Sequence, residues 1–321
     1  MQLKKTYLLA LIPLLSFCSS EKPVITEKPV QPIEKPKAVK QIDSLKFASE
    51  IHLKNIRQLT FGGNNAEAYW SFDNKQIIFQ SDWSEINSQG CDQIYIMNAD
   101  GSPISSGMQY QEVSTGKGRT TCSYFHPNGK IVYSSTHAAN ENCPTAPVFE
   151  GGRYVWAIYD SFDIYAKDSS TAESKLLIGG EGYDAEPTIS PDGKYMIFTS
   201  TRSGDLDLWR YEFETKELKQ ITFLPGYDGG AFFSHDSKKL VWRASRPNDE
   251  ELPIYKDLLS KGLVEPKAMN LYTSDIDGNN VEQITNLPGA NWAPFFHPDN
   301  KRILFSSNHH TMDKGGRVFD I

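Results

Sequence analysis

Apolar and polar positions alternate in short runs along most of this chain, and the runs recur. In Glu186-Pro-Thr-Ile-Ser-Pro-Asp-Gly-Lys-Tyr-Met-Ile-Phe-Thr-Ser-Thr-Arg202 an extended run ends at Ile189, Ser190-Pro191-Asp192-Gly193 follows, and a β-branched and aromatic run leads from Tyr195 to Ser200. Proline presets φ near −65° and glycine supplies positive φ, so the middle is a tight turn between two strands. The same pattern returns at 69–79, 124–133, 232–242 and 295–305. A second hairpin follows each of the first four copies, as in Gln93-Ile-Tyr-Ile-Met-Asn-Ala-Asp-Gly101, Asp207-Leu-Trp-Arg-Tyr211 and Asn270-Leu-Tyr-Thr-Ser-Asp-Ile-Asp-Gly278. Each runs on into a strand such as Leu218-Lys-Gln-Ile-Thr222 or Val281-Glu-Gln-Ile-Thr285. One unit is therefore four antiparallel strands, a to d.

The shortest spacing, Asp192 to Asp236, is about 44 residues, the length of a four-stranded propeller blade. A lone four-stranded sheet cannot bury both faces, whereas radial stacking buries them and leaves short edges. A β-sandwich would not repeat one turn at this period. The pattern thus predicts an all-β chain: a β-propeller over residues 46–321 with five recognisable repeats. The longer spacings are assigned to loops, not to extra strands. Arg57-Gln-Leu-Thr60 matches the strand-d endings and is expected to be an outer strand that completes the last blade. Arg317-Val-Phe-Asp-Ile321 is expected to begin a strand c. Two rings are compatible, a closed five-bladed one and a truncated six-bladed one, and an end within an apparent strand favours the second.

The N-terminal pattern differs. Lys4 and Lys5 precede an apolar stretch from Tyr7 to Phe17 that is too short to span a bilayer, so residues 1–18 read as an export signal. Its end, Leu15-Ser-Phe-Cys18-Ser-Ser20, resembles a bacterial lipoprotein signal, with Cys18 as the lipidated residue; an ordinary signal with an incidental cysteine is the other reading. Residues 19–45 repeat Glu-Lys-Pro three times and cannot bury a core, so they predict an extended spacer between anchor and propeller. The expected setting is the periplasm or the outer membrane of a bacterium.

Composition adds limits. Aromatics at 12% and hydrophobics at 39% suffice for a large core, and a formal net charge of −7 gives no electrostatic case for nucleic acid. No second stretch is long and apolar enough to span a membrane.

In a blade, d–a and b–c loops emerge on one face and a–b and c–d turns on the other. The long irregular segments, 81–91, 136–162, 245–269 and 308–316, are all b–c loops, so binding is expected on that face. Four positions after each strand-b aromatic stand Trp83, His137, Arg202, Arg246 and His309. On one reading they form a ring that receives acidic groups of a partner, since arginine suits bidentate recognition. On the other they pair with Asp184, Asp205 and Asp228 and tie one blade to the next. Asp184 and Asp228, each after a tyrosine, are also candidates for the channel mouth or for turn bonding. Cys91, Cys122 and Cys143 remain after export, and one disulfide is expected, with Cys122–Cys143 and Cys91–Cys122 as options. Asp275-Ile-Asp-Gly-Asn-Asn280 lacks the acidic residue a calcium loop needs at its twelfth position, so it reads as a c–d turn. Catalytic motifs are absent, and neither a metal nor a cofactor is expected.

The Ser-Pro-Asp-Gly-Lys turn at 190–194 with Tyr-Met-Ile-Phe-Thr-Ser after it, Met97-Asn-Ala-Asp-Gly101, and the Gln-Ile-Thr endings at 220–222 and 283–285 resemble the TolB-like family of propeller repeats over about 56–321. The resemblance implies a non-enzymatic envelope protein that binds a protein or lipoprotein partner. A probable anchor and linker stand here in place of TolB's extra N-terminal domain. Some sugar-acid lyases use similar propellers with a histidine-rich metal site, for which His137 and His309 are the only candidates; that is the alternative function.

Overall fold

The computed structural model describes residues 45–47, 50–105, 107–146, 152–168 and 173–321. The export signal, Cys18 and nearly all of the linker lie outside the described residues. Two compact units divide between Arg57 and Gln58, and the second, Gln58–Ile321, contains every described strand.

The first blade is β1 (Asn65–Trp70), β2 (Gln76–Ser81), β3 (Gln93–Asn98) and β4 (Gln111–Glu112). The second starts with β5 (Thr120–Phe125) and β6 (Ile131–Ser135). The short β7 (Trp156–Ala157) sits in the loop after β6, and β8 (Asp163–Lys167) and β9 (Ser174–Ile178) complete the sheet. The third blade is β10 (Asp184–Ile189), β11 (Tyr195–Ser200), β12 (Asp207–Glu212) and β13 (Leu218–Gln220). The fourth has β14 (Asp228–Phe233) and β15 (Lys239–Ser245). Helix α1 (Leu252–Ser260) and β16 (Leu263–Val264) lie in its b–c loop, before β17 (Met269–Asp275) and β18 (Glu282–Gln283). The fifth repeat is the hairpin of β19 (Asn291–Phe296) and β20 (Ile303–Ser307).

Three expectations are corrected. The described chain has four complete blades, not five, and the fifth repeat stays two-stranded. After Ser307 the backbone enters a 3₁₀ turn at His309–Lys314 and returns to an antiparallel bridge between Asp320 and Ser307, the register at which strand c begins in the complete blades. Residues 51–60 form no strand. Instead Leu59 packs on the first blade's core beside Ile77 and Phe79, and its carbonyl accepts the Tyr110 hydroxyl at 2.7 Å. The long b–c loops are not devoid of strands: β7 and β16 pair antiparallel, Leu263 opposite Ala157 and Val264 opposite Trp156.

Blade stacking follows from alternation along strand b, because successive side chains leave opposite faces of a sheet. In β6, Ile131 and Tyr133 join the core shared with the first blade, while Val132 joins that of the third. In β11, Met196 and Phe198 face back and Ile197 faces forward. In β15, Leu240 and Trp242 face back and Val241 faces forward, toward Phe296. Polar ties link the a–b turns. His126 Nε2 donates to the Gly193 carbonyl at 3.1 Å, the Asp192 amide to Ser237 Oγ at 3.1 Å, and His235 Nε2 to the Phe296 carbonyl at 2.9 Å. The Asp275–Asn280 segment is a c–d turn, as read, and its Asp277 takes Arg210 at 2.8 Å and Lys219 at 3.0 Å from the third blade.

Trp242 is 1% exposed and Leu176, on outer strand β9, is 60% exposed. Trp242→Ala should therefore cost about 3–5 kcal/mol, while Leu176→Ala should stay within about 0.5 kcal/mol. Urea unfolding midpoints of the two variants check this contrast.

Candidate functional site

The inner strands share a departure from regular pairing. In β1, β5, β10, β14 and β19 the register slips after the second residue. The third residue of each is left-handed: Glu67 (φ 51°), Cys122 (42°), Glu186 (59°), Gly230 (56°) and Ala293 (48°). Four of these five are not glycine, so the conformation carries a steric cost and is held by the surrounding sheet. All five residues line one cavity of about 930 Å³ that the inner strands border and that is open to solvent.

Charge collects at this level. Glu186 accepts four bonds: from Thr199 Oγ1 at 2.7 Å, Tyr227 Oη at 2.9 Å, the Gly230 amide at 2.9 Å and Arg243 Nη2 at 2.5 Å. Burial pushes Glu186 up, but the Arg243 guanidinium with the Thr199 and Tyr227 donors overcomes it and holds the carboxyl below its ordinary value. Arg243 reaches this place through the gap left by Gly230, where an added Cβ would meet its Nη1 at 1.6 Å. Its guanidinium lies 5.0 Å from the Tyr227 ring centre and 5.7 Å from that of Trp156. Glu67 faces the lumen and accepts from Tyr69 Oη. Although the residue is exposed, desolvation at the cavity wall, with Glu186 adding, raises its carboxyl above the usual range. Burial also pushes the Cys122 thiol well up, with Glu67 and Glu186 adding to the effect, so it is not an activated nucleophile.

Two residues further along, Tyr69, Tyr124 and Phe232 meet with ring centres 5.4–6.2 Å apart and form an aromatic collar. At the other end Trp156, carried on β7, stacks on Trp292 of β19 at 5.4 Å. A satellite core of Ile158, Tyr227, Tyr255 and Val264 supports this roof.

The residues predicted as a ring on the loop-rich face are each engaged within their own blade. Arg202 grips Asp184 at 2.7 and 2.8 Å, and Arg246 grips Asp228 at 2.9 and 2.7 Å. These clamps fasten the end of strand b to the start of strand a in one sheet, so they do not tie one blade to the next. Burial lifts Asp228 to about 6, opposed in part by Arg246 and by the Trp242 indole at 2.7 Å. His137 Nδ1 shares a hydrogen bond with Ser135 Oγ at 2.8 Å, and His309 Nδ1 one with Ser307 Oγ at 2.9 Å. Trp83 packs its ring edge on Tyr110 and bonds its amide to Ser81 Oγ at 3.1 Å. Asp205 accepts from the Tyr255 hydroxyl of α1.

The disulfide differs from both expected pairings. Cys91 joins Cys143, with Cα atoms 6.0 Å apart, and Cys122 is free. Both bonded cysteines lie in b–c loops, whereas the bulge in β5 turns Cys122 toward the cavity. Sequence reading missed Glu67, Glu186, Gly230 and Arg243. One signal for Arg243 was present, an arginine directly after Val241-Trp242 in an otherwise apolar strand.

No protein-family model matches the chain. Over 49 residues, 15% of this chain and 17% of the relative, it is 41% identical to Uncharacterized protein Atu1656 of Agrobacterium fabrum. The crystal structure of TolB from Acinetobacter baumannii aligns with a TM-score of 0.53 at 22% identity, over 76% of this chain and 49% of that one. The hydrazine synthase of Kuenenia stuttgartiensis aligns at 0.52 and 14% identity, over 75% of this chain and 35% of that one. This chain thus spans about half the length of the TolB it matches. The class defined by the sheets and these likenesses is the β-propeller. Within it, the fold is TolB-like.

Two outcomes follow. Arg243→Ala strands a buried carboxylate and should cost about 3–5 kcal/mol at pH 7. In the native protein the stabilisation from Glu186 is present above about pH 4.5, the ordinary glutamate value, and is lost as pH falls through its lower folded value. The penalty of Arg243→Ala should shrink toward pH 4, because unpaired Glu186 then takes up a proton; chemical unfolding at the two pH values measures this. Second, a non-reducing digest should yield a Cys91–Cys143 linked peptide, with Cys122 alkylated only after denaturation. Cys91→Ser with Cys143→Ser should cost about 2–4 kcal/mol.

Proposed function

We infer that this chain is a non-enzymatic cell-envelope propeller that binds a protein partner through its loop-rich face. The observation that carries the reading is that the b–c loops of three blades are fastened together. Cys91–Cys143 joins the loops of the first and second blades, and the β7–β16 pair joins those of the second and fourth. Loops held this way present a fixed surface, and ordering them costs nothing at the moment of binding. Tyr154 is 69% exposed and Ile254 is 40% exposed on these loops, as apolar anchors for a partner. Around them stand Trp83, His137, Arg202, Arg246 and His309, with Asp184 and Asp228 beneath the two arginines.

The TolB-like fold is in keeping with this role, and the export signal, lipidation at Cys18 and the Glu-Lys-Pro spacer place the propeller at an envelope membrane in this proposal. The alternative, a metal-dependent sugar-acid lyase, draws little support. His137 and His309 stand in different repeats, each bonded to the serine two residues before it, and among the described residues no three His, Cys, Asp or Glu side chains group as metal ligands.

Photo-crosslinkers at positions 154 and 254, activated in intact cells, test the reading. Both positions should attach the same defined protein, and a crosslinker at Leu176 on the outer strand should not. Attachment to a heterogeneous background from all three positions would overturn it.

A further inference from the structure

The acid–arginine level of the cavity has a property that structural pairing leaves unexplained. Glu186 is saturated with donors, yet Arg243 is not saturated with acceptors. Its side chain is 8% exposed and both of its hydrogen bonds leave from Nη2, to Glu186 and to Tyr227 Oη at 2.7 Å. Among the described residues Nη1 donates to no acceptor, and Nε is buried without one. Nη1 is thus the donor that this arginine, more than nine-tenths buried, keeps available at the cavity wall. Glu67 is exposed and lines the same cavity. This carboxylate faces the lumen with the Tyr69 hydroxyl as its single hydrogen-bond donor. The two groups share the cavity with Glu186 and are near enough to bias each other's ionisation.

Together these groups select a ligand by charge. The level holds two carboxylates and one guanidinium, so a bare anion meets net repulsion. A bare cation satisfies Glu67 and leaves Arg243 as it was. A zwitterion answers both, its ammonium taken by Glu67 and its carboxylate by Arg243 Nη1. Aromatic surfaces bound the same space on either side: Trp156 and Trp292 at the roof, Tyr69, Tyr124 and Phe232 at the collar. They suit a flat apolar side chain and favour a cation near their faces. Small-molecule sites commonly combine such apolar walls with a few convergent polar groups.

We propose that the central cavity is a receptor for a free α-amino acid with an aromatic or large apolar side chain, its ammonium on Glu67 and its carboxylate on Arg243. This site is distinct from the loop-borne surface assigned to a protein partner, and its test is independent of that reading.

The experiment is calorimetric titration of the purified full-length chain with three probes: L-phenylalanine, phenylethylamine, which lacks the carboxylate, and 3-phenylpropionate, which lacks the ammonium. Phenylalanine should bind and each truncated probe should bind at least about tenfold more weakly. Glu67→Gln should weaken phenylalanine by about tenfold or more and leave the melting temperature of the unliganded protein in place, because that side chain faces the lumen. Gly230→Ala, which puts a methyl where Arg243 Nη1 lies, should also weaken phenylalanine while sparing any residual binding of phenylethylamine. Three results would overturn the proposal. They are no heat and no thermal shift with millimolar phenylalanine, equal affinity for phenylalanine and phenylethylamine, and phenylalanine binding that Glu67→Gln leaves unchanged.

Discussion

Each central sheet of this protein is apolar on both faces, and no such sheet can exist in water uncovered. Ile197 and Phe198 are neighbours in β11, both fully buried, and they point into different blade interfaces. The strand is stable only because one sheet packs on each side of it. The same holds for Val132 and Tyr133, and for Val241 and Trp242. Radial stacking is the arrangement that satisfies this demand repeatedly, and it brings the innermost strand of every blade toward a common cavity.

Convergence of the inner strands creates the second feature. A regular strand would keep alternating its side chains between the two blade interfaces. The bulge with its left-handed third residue breaks that alternation and turns Glu67, Cys122 and Glu186 to the cavity wall. At the equivalent place in β14 a side chain is missing, since the residue is Gly230, and Arg243 from the adjacent strand fills the vacancy. The ion pair of Arg243 with Glu186 therefore joins two blades at the cavity level, whereas the Arg202–Asp184 and Arg246–Asp228 clamps act within one blade each. Buried pairs of this kind contribute little net stability over an apolar substitute, but losing one partner is costly.

The two ends of the cavity are finished differently. Tight a–b turns, linked by His126, Ser237 and His235, edge one end. The other is roofed by loop elements, where β7 and β16 bring loops from the second and fourth blades together and place Trp156 over Arg243. A disulfide between the first two blades restrains the same face. The loop-rich surface and the cavity roof are thus parts of one construction.

Much of this was decided by the amino-acid sequence alone. The Ser-Pro-Asp-Gly turn and its four relatives mark the a–b hairpins, because turn conformation depends on a few consecutive residues. The period of about 44 residues marks the blades, because both strand alternation and turn chemistry are local. The same local logic assigned Asp275–Asn280 to a turn. What only the tertiary structure decided is every relation between distant residues. The Cys91–Cys143 pairing and the β7–β16 pair depend on how loops and blades meet, which no spacing encodes. The cavity level was hidden for a further reason. Its five positions carry glutamate, cysteine, glutamate, glycine and alanine, so no shared residue type announces the shared conformation. The bulge is imposed by packing the inner strands around one space, and the chemistry placed there varies because the backbone, not the side chain, is what repeats.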